Sequence, residues 1–174
     1  METLKRIQIL RADRNQTVDA EIIRLITDVA REKIDKVWWK LPSVSAEEMN
    51  DEGDFHWDWE RLARIYSGKI LHECVAVLSQ ENYLEGAMVY QFNAKSKLEP
   101  NRESVYVGWL ASAPRNRNWL VNQTFYKGVG TMLLDIIGNN IFLQSSLNQL
   151  FEVAGGRLLA NCVTHTRFPS PHLK

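Results

Sequence analysis

Cysteine is scarce in this chain. Cys74 and Cys162 are too few for a disulfide framework, and both lie in apolar, strand-like runs where a buried reduced thiol is expected. Net charge is also missing. The 21 basic residues balance 21 acidic ones, so no overall field points to nucleic acid or to an acidic membrane. No long hydrophobic run is present. The most apolar region, residues 129–143, is interrupted by Asp135, Asn139 and Asn140, which excludes a membrane span by length. Met1-Glu2 and Lys5-Arg6 have no apolar signal core behind them, so a cytoplasmic protein is expected. Neither an internal repeat nor a low-complexity tract is visible.

What is present suits one globular domain over residues 1–174, with 45% apolar and 24% charged residues. The charge is unevenly spread: residues 1–99 hold 14 basic and 18 acidic residues, and residues 100–174 hold 7 and 3. A positive C-terminal half suits an anionic ligand, and it is equally compatible with ordinary surface scatter.

Hydrophobic spacing predicts a strand over residues 4–11. A helix over residues 20–35, capped by Asp19, is predicted from Ile22, Ile23, Ile26, Val29 and Ile34. Residues 37–54 read as an irregular surface segment, and a short helix is expected over 57–66, ended by Ser67-Gly68. Two β-rich runs, HECVAVLSQ (72–80) and EGAMVYQFN (85–93), read as an antiparallel hairpin. A third, SVYVGWLASAP (104–114), closes at Pro114. A polar loop, RNRNWLVNQT (115–124), leads to a long helical pattern with a weak spot at Gly138-Asn139-Asn140. RLLANCVTH (157–165) reads as a last strand. The expected class is α/β (α+β): a mixed, mainly antiparallel sheet flanked by helices, with a βαβ unit near the C-terminus.

The stretch FYKGVGTMLL (125–134) places two glycines at the start of that long helix. A helix's first turn carries unpaired N–H groups and the positive end of its dipole, and glycine removes the side chains that would keep a phosphate away. Lys127 adds a cation and Thr131 a hydroxyl. A helix start that simply needs a tight turn accounts for the same spacing. The stretch is not a Walker loop, because no Gly-Lys-Ser/Thr follows at the required distance, and a three-glycine dinucleotide fingerprint is absent.

VYVGWLASAP followed by YKGVGTMLL resembles the GNAT superfamily of acyl-CoA-dependent N-acetyltransferases, whose coenzyme motif is Arg/Gln-x-x-Gly-x-Gly/Ala at a helix start after a strand. The likeness spans roughly residues 70–160 and is specific over 104–134, in the manner of a subgroup with a long strand-to-helix loop. Phe125 stands where the family usually has Arg or Gln. The resemblance implies acetyl transfer from acetyl-CoA to a primary amine of a small molecule or protein, with no metal. It implies that the strands at 104–112 and 157–164 splay around the pantetheine arm. Leu110, Ala111 and Ser112 would bond that arm, and Lys127, Gly128, Val129, Gly130 and Thr131 would hold the pyrophosphate. A catalytically impaired CoA-binding or protein-interaction module of the same fold is the alternative.

Acetyl transfer needs an uncharged amine, oxyanion donors and a proton for the thiolate. Glu85, Glu103, Asp58 and His56 are the candidate bases, each also readable as a surface charge. The family's tyrosine after its fifth strand has no counterpart, because no tyrosine follows Tyr126. NCVTHTRFPSPHLK is expected to be an atypical, truncated or frame-altered ending, with His165 as a substitute acid. For an amine substrate, Trp38, Trp39 and Trp57 beside Asp51, Glu52 and Asp54 offer cation–π and ion-pair contacts, unless these tryptophans are core. An incomplete sheet after residue 164 predicts homodimerisation through its edge.

Overall fold

The computed structural model describes residues 1–96, 101 and 103–145, with side chains described through residue 138. Its centre is a six-stranded sheet. The strands are β1 (Thr3–Arg11), β2 (Gln16–Arg24), β3 (His72–Ser79), β4 (Leu84–Lys95), β5 (Glu103–Ser112) and the short β6 (Tyr126–Lys127). Their order is β5-β4-β3-β2-β1-β6, and every described pairing is antiparallel. The fold is therefore α+β. The return strand that would complete a βαβ unit, at 157–165, lies outside the described residues, as do Cys162 and His165.

Helices cover both faces. On one face lie α1 (Thr27–Ala30), which widens into a π-turn over Arg31–Asp35, and α3 (Trp59–Tyr66). They pack with Ile23, Ala76 and Val89 around Trp38 and Trp59. On the other face, α4 (Val129–Ser145) lays Val129, Leu133, Ile136 and Ile137 on Ile22, Val77 and Met88. A small helix, α2 (Ala46–Asp51), stands apart with no buried residue.

This arrangement corrects the N-terminal expectation. Residues 16–24 are a strand, and Asp19 sits inside it as the partner of Gln8 rather than capping a helix. Because both sheet faces are covered, the adjacent Ile22 and Ile23 are each fully buried, one against α4 and the other against α1 and α3. Consecutive apolar residues in a doubly covered strand imitate helical spacing. The segment 37–54 is also more ordered than expected. Ser45 Oγ accepts from the Glu48 amide at 3.2 Å, and the Glu48 carboxylate accepts from the Ser45 amide at 2.8 Å, a capping box that starts α2. The hairpin over 72–93 and the helix near 57–66 form as expected, the latter capped by Asp58. Gly138 neither breaks nor splits α4, which runs continuously to Ser145.

Candidate functional site

The bend between β6 and α4 is held from beneath and left open above. Tyr126 and Lys127 pair with Arg11 and Leu10 of β1, the Ala12 amide donates to the Phe125 carbonyl at 2.8 Å, and the buried Tyr126 anchors the chain. Gly128 then takes φ +76°, a left-handed conformation that side chains disfavour. The Met132 amide donates to the Gly128 carbonyl at 2.9 Å and closes the first turn of α4. Within that turn the amides of Val129, Gly130 and Thr131 have no intrahelical acceptor. A Cβ built on Gly128 or Gly130 would meet none of the described residues within 4 Å. Lys127, Gly128 and Thr131 are exposed, whereas Val129 is buried beneath them.

Gly86 of β4 is what lets α4 sit this low. A Cβ there would stand 2.6 Å from Val129 Cγ1 and 3.0 Å from Leu133 Cδ1. The sheet therefore has a notch under the first turn of α4, and Val129 and Leu133 fill it. Sequence patterning did not single out Gly86, although a glycine inside an apolar strand signals a close approach of this kind.

The loop from β5 to β6 is fastened by three consecutive side chains. Arg115 donates through Nε to Glu85 Oε2 at 3.1 Å and through Nη2 to Oε1, while its guanidinium lies between the rings of Tyr83 and Phe125. Asn116 donates to Glu85 Oε2 at 3.0 Å and accepts from the Tyr126 amide at 3.0 Å. Arg117 is buried and donates to Asp54, Glu52 and the Ser112 carbonyl. Burial works against its charge, but the hydrogen bonds to Asp54 and Glu52 more than offset that, holding the guanidinium above its ordinary value. The signal was present in the alternation Arg115-Asn116-Arg117-Asn118 set against NDEGD (50–54) and a lone glutamate in an apolar strand.

These contacts reassign several expected site residues. Glu85 is fully buried and its carboxylate accepts three hydrogen bonds from Arg115 and Asn116, which commits it to holding the loop. Glu103 stands at the opposite end of β5, nine residues from Ser112 and so about 30 Å from it along an extended strand. Asp58 accepts from the Arg61 amide at 2.7 Å as the cap of α3, and His56 packs on Phe55 at the surface. Trp38 is not available to a substrate: it is 4% exposed, its Nε1 donates to the Leu84 carbonyl at 2.9 Å, and its ring meets Trp59 edge to face. Trp57 packs on Trp59, and Trp39 lies between Phe55 and the Arg117 guanidinium. Of the acids beside them, Glu52 and Asp54 are bound to Arg117 rather than free for an amine.

β5 is an outer strand of the sheet, with no described strand on its far side. The Ala113 amide donates inward to the Glu85 carbonyl at 2.7 Å. Backbone direction alternates along a strand, so Ala111 faces β4 while Leu110 and Ser112 turn their groups to the open edge. There the Ser112 carbonyl is already taken by Arg117 Nε and Nη2, at 3.1 and 2.7 Å. Gly108 is an extra residue opposite Val89 and Tyr90, a bulge in the middle of that edge.

Among the described residues no group of three or more His, Cys, Asp or Glu is placed to hold a metal, and no helix is long and apolar enough to cross a membrane. Cys74 is buried, and burial pushes its thiol up to about 12, so it stays protonated at neutral pH. Against models of known families, curated proteins and solved structures, the chain has no match.

Proposed function

We propose that this chain is an acetyl-CoA-dependent N-acetyltransferase that acts on a primary amine and holds the coenzyme's diphosphate on the amides of residues 128–131. The observation that carries the reading is the open bend. Two positions without side chains, one with a positive φ, stand over helix-start amides that have no intrahelical acceptor, with Lys127 beside them. Any Cβ at Gly128 or Gly130 would enter the space a diphosphate needs. The outer edge of β5, on which no described strand lies, supports the rest of the reading, since an amide-bearing arm can bond there as an added strand does. Of the three residues expected to meet that arm, Leu110 has the best-placed backbone groups: Ala111 is turned inward, and the Ser112 carbonyl is occupied by Arg117. An interaction surface built on Trp38 and Trp39 has less support, because Trp38 is core.

Gly128→Glu should abolish acetyl-CoA binding in calorimetry, because it strains the bend and sets a carboxylate against the diphosphate. Gly128→Ala, which adds the strain without the charge, should weaken binding by about tenfold. Wild-type protein that is folded yet gives no heat with acetyl-CoA would end the reading. A thiol-release assay over a panel of amines separates a working enzyme from a fold that binds coenzyme without turning it over.

A further inference from the structure

The Gly108 bulge opens a second feature on the face covered by α3. A cavity of about 80 Å³ lies between α3, the start of β3 and the middle of β5, walled by the rings of Tyr66, Tyr106 and Trp109 with His72 and Gln91. One water occupies roughly 10–15 Å³ on this scale, so the cavity takes several non-hydrogen atoms. His72 is its unusual member. Its Nδ1 is buried and has no hydrogen-bond partner among the described residues. The imidazole also borders a second space of about 10 Å³, too small for more than a single water, so the larger cavity is where a ligand fits.

Resting on the acetyltransferase reading, we infer that this cavity receives the uncharged amine end of a weakly basic acceptor, of the aromatic-amine class, and that the His72 imidazole takes the proton the amine loses. Position favours it. Gly108, which lines the cavity, is four residues before Ser112, about 13 Å along the strand, so an arm laid on the β5 edge from Ser112 would reach it. Charge favours it as well. The five walling side chains named above include no carboxylate, and Lys69 already lies over the Tyr66 ring at 4.6 Å, so an ammonium would enter without a counter-ion and beside a cation.

In the reaction, the nitrogen lone pair attacks the thioester carbonyl carbon of acetyl-CoA and a C–N bond forms. The C–S bond breaks, and the thiolate leaves with its electron pair. The proton released by nitrogen passes to His72 and then to the thiolate, which restores neutral imidazole and yields the N-acetyl amine and CoA thiol. The titratable neighbours are Lys69 and Tyr66 from α3 and its following turn, Glu73 and Cys74 on β3, Arg24 on β2, Tyr90 on β4 and Tyr106 on β5. Glu73 is engaged by the Tyr90 hydroxyl at 2.7 Å. Burial, then Lys69, lowers His72 below its ordinary value, against a hydrogen bond with Gln91, so a neutral base is present at pH 7.

The test uses two probes at pH 7 on isotope-labelled full-length protein, aniline (uncharged) and n-butylamine (charged). Aniline should perturb the resonances of His72, Gly108 and Trp109, and Tyr106→Ala, a change at a half-exposed ring, should weaken that binding about tenfold. Butylamine should perturb them far less. In acetyl transfer to aniline, His72→Gln should lower kcat by about 100-fold, keep acetyl-CoA affinity within about twofold, and remove the fall in rate on the acid side of the pH profile. Equal binding of both amines, or aniline shifts elsewhere, overturns the cavity assignment. Wild-type kcat in His72→Gln overturns the role of the imidazole. Aniline binding at the cavity in a protein with no acetyl-CoA affinity sustains the cavity as an amine site and overturns the coenzyme reading instead.

Discussion

Glu85 and Arg115 show what a single residue decides here. A glutamate in an apolar strand reads as a candidate base from sequence, but its surroundings give it a structural role. With Arg115 and Asn116 it ties the β5–β6 loop to the start of β4. Removing one partner of a buried ion pair leaves an uncompensated charge, so Arg115→Ala should cost about 3–5 kcal/mol in urea unfolding. Replacing the pair together, Glu85→Leu with Arg115→Leu, should recover most of that loss, because no lone charge remains. If the single variant unfolds like wild type, the pair does not hold the loop. The carboxylate was visible in the sequence as an oddity, but its partner thirty residues away was not, since nothing local links the two positions.

At the scale of elements, the decisive contact is α4 on β4. The helix was legible from Leu133, Ile136 and Ile137, and its start from the glycines. How deeply it seats depends on Gly86, where even a methyl group would overlap Val129. Gly86→Val should lift the first turn of α4, lower stability by about 1–3 kcal/mol as overpacking does, and weaken acetyl-CoA binding more than a loss of stability explains. Unchanged affinity in a destabilised Gly86→Val protein would show that the bend does not depend on the notch. β2 was misread for a related reason: its covering layers come from distant parts of the chain, so local periodicity could not tell two buried faces from one helical stripe.

For the whole molecule, the sheet acts as a frame with α4 on one face and α1 and α3 on the other, and β5 is an outer strand with no described strand beyond it. A ligand bound there is linked to folding. Acetyl-CoA at about 100 times its dissociation constant should stabilise the native state by about 2.7 kcal/mol, seen as a raised Tm. Because the bend would meet a diphosphate through Lys127 and helix-start amides, that gain should shrink as salt rises from about 0.05 to about 0.5 M. A Tm unmoved by acetyl-CoA at any salt concentration would rule out the site.

Local chemistry by itself determined the β3–β4 hairpin, the α3 cap at Asp58, the capping box at Ser45 and the glycine bend, because each depends on residues a few positions apart. Tertiary structure decided which charges are free. It buried Glu85 and Arg117, drew Trp38 into the core, committed Asp54 to an arginine 63 residues away and left His72 Nδ1 without a partner among the described residues. The reason is physical: burial and ion pairing set what a side chain can do, and both are fixed by neighbours that folding brings in from distant sequence.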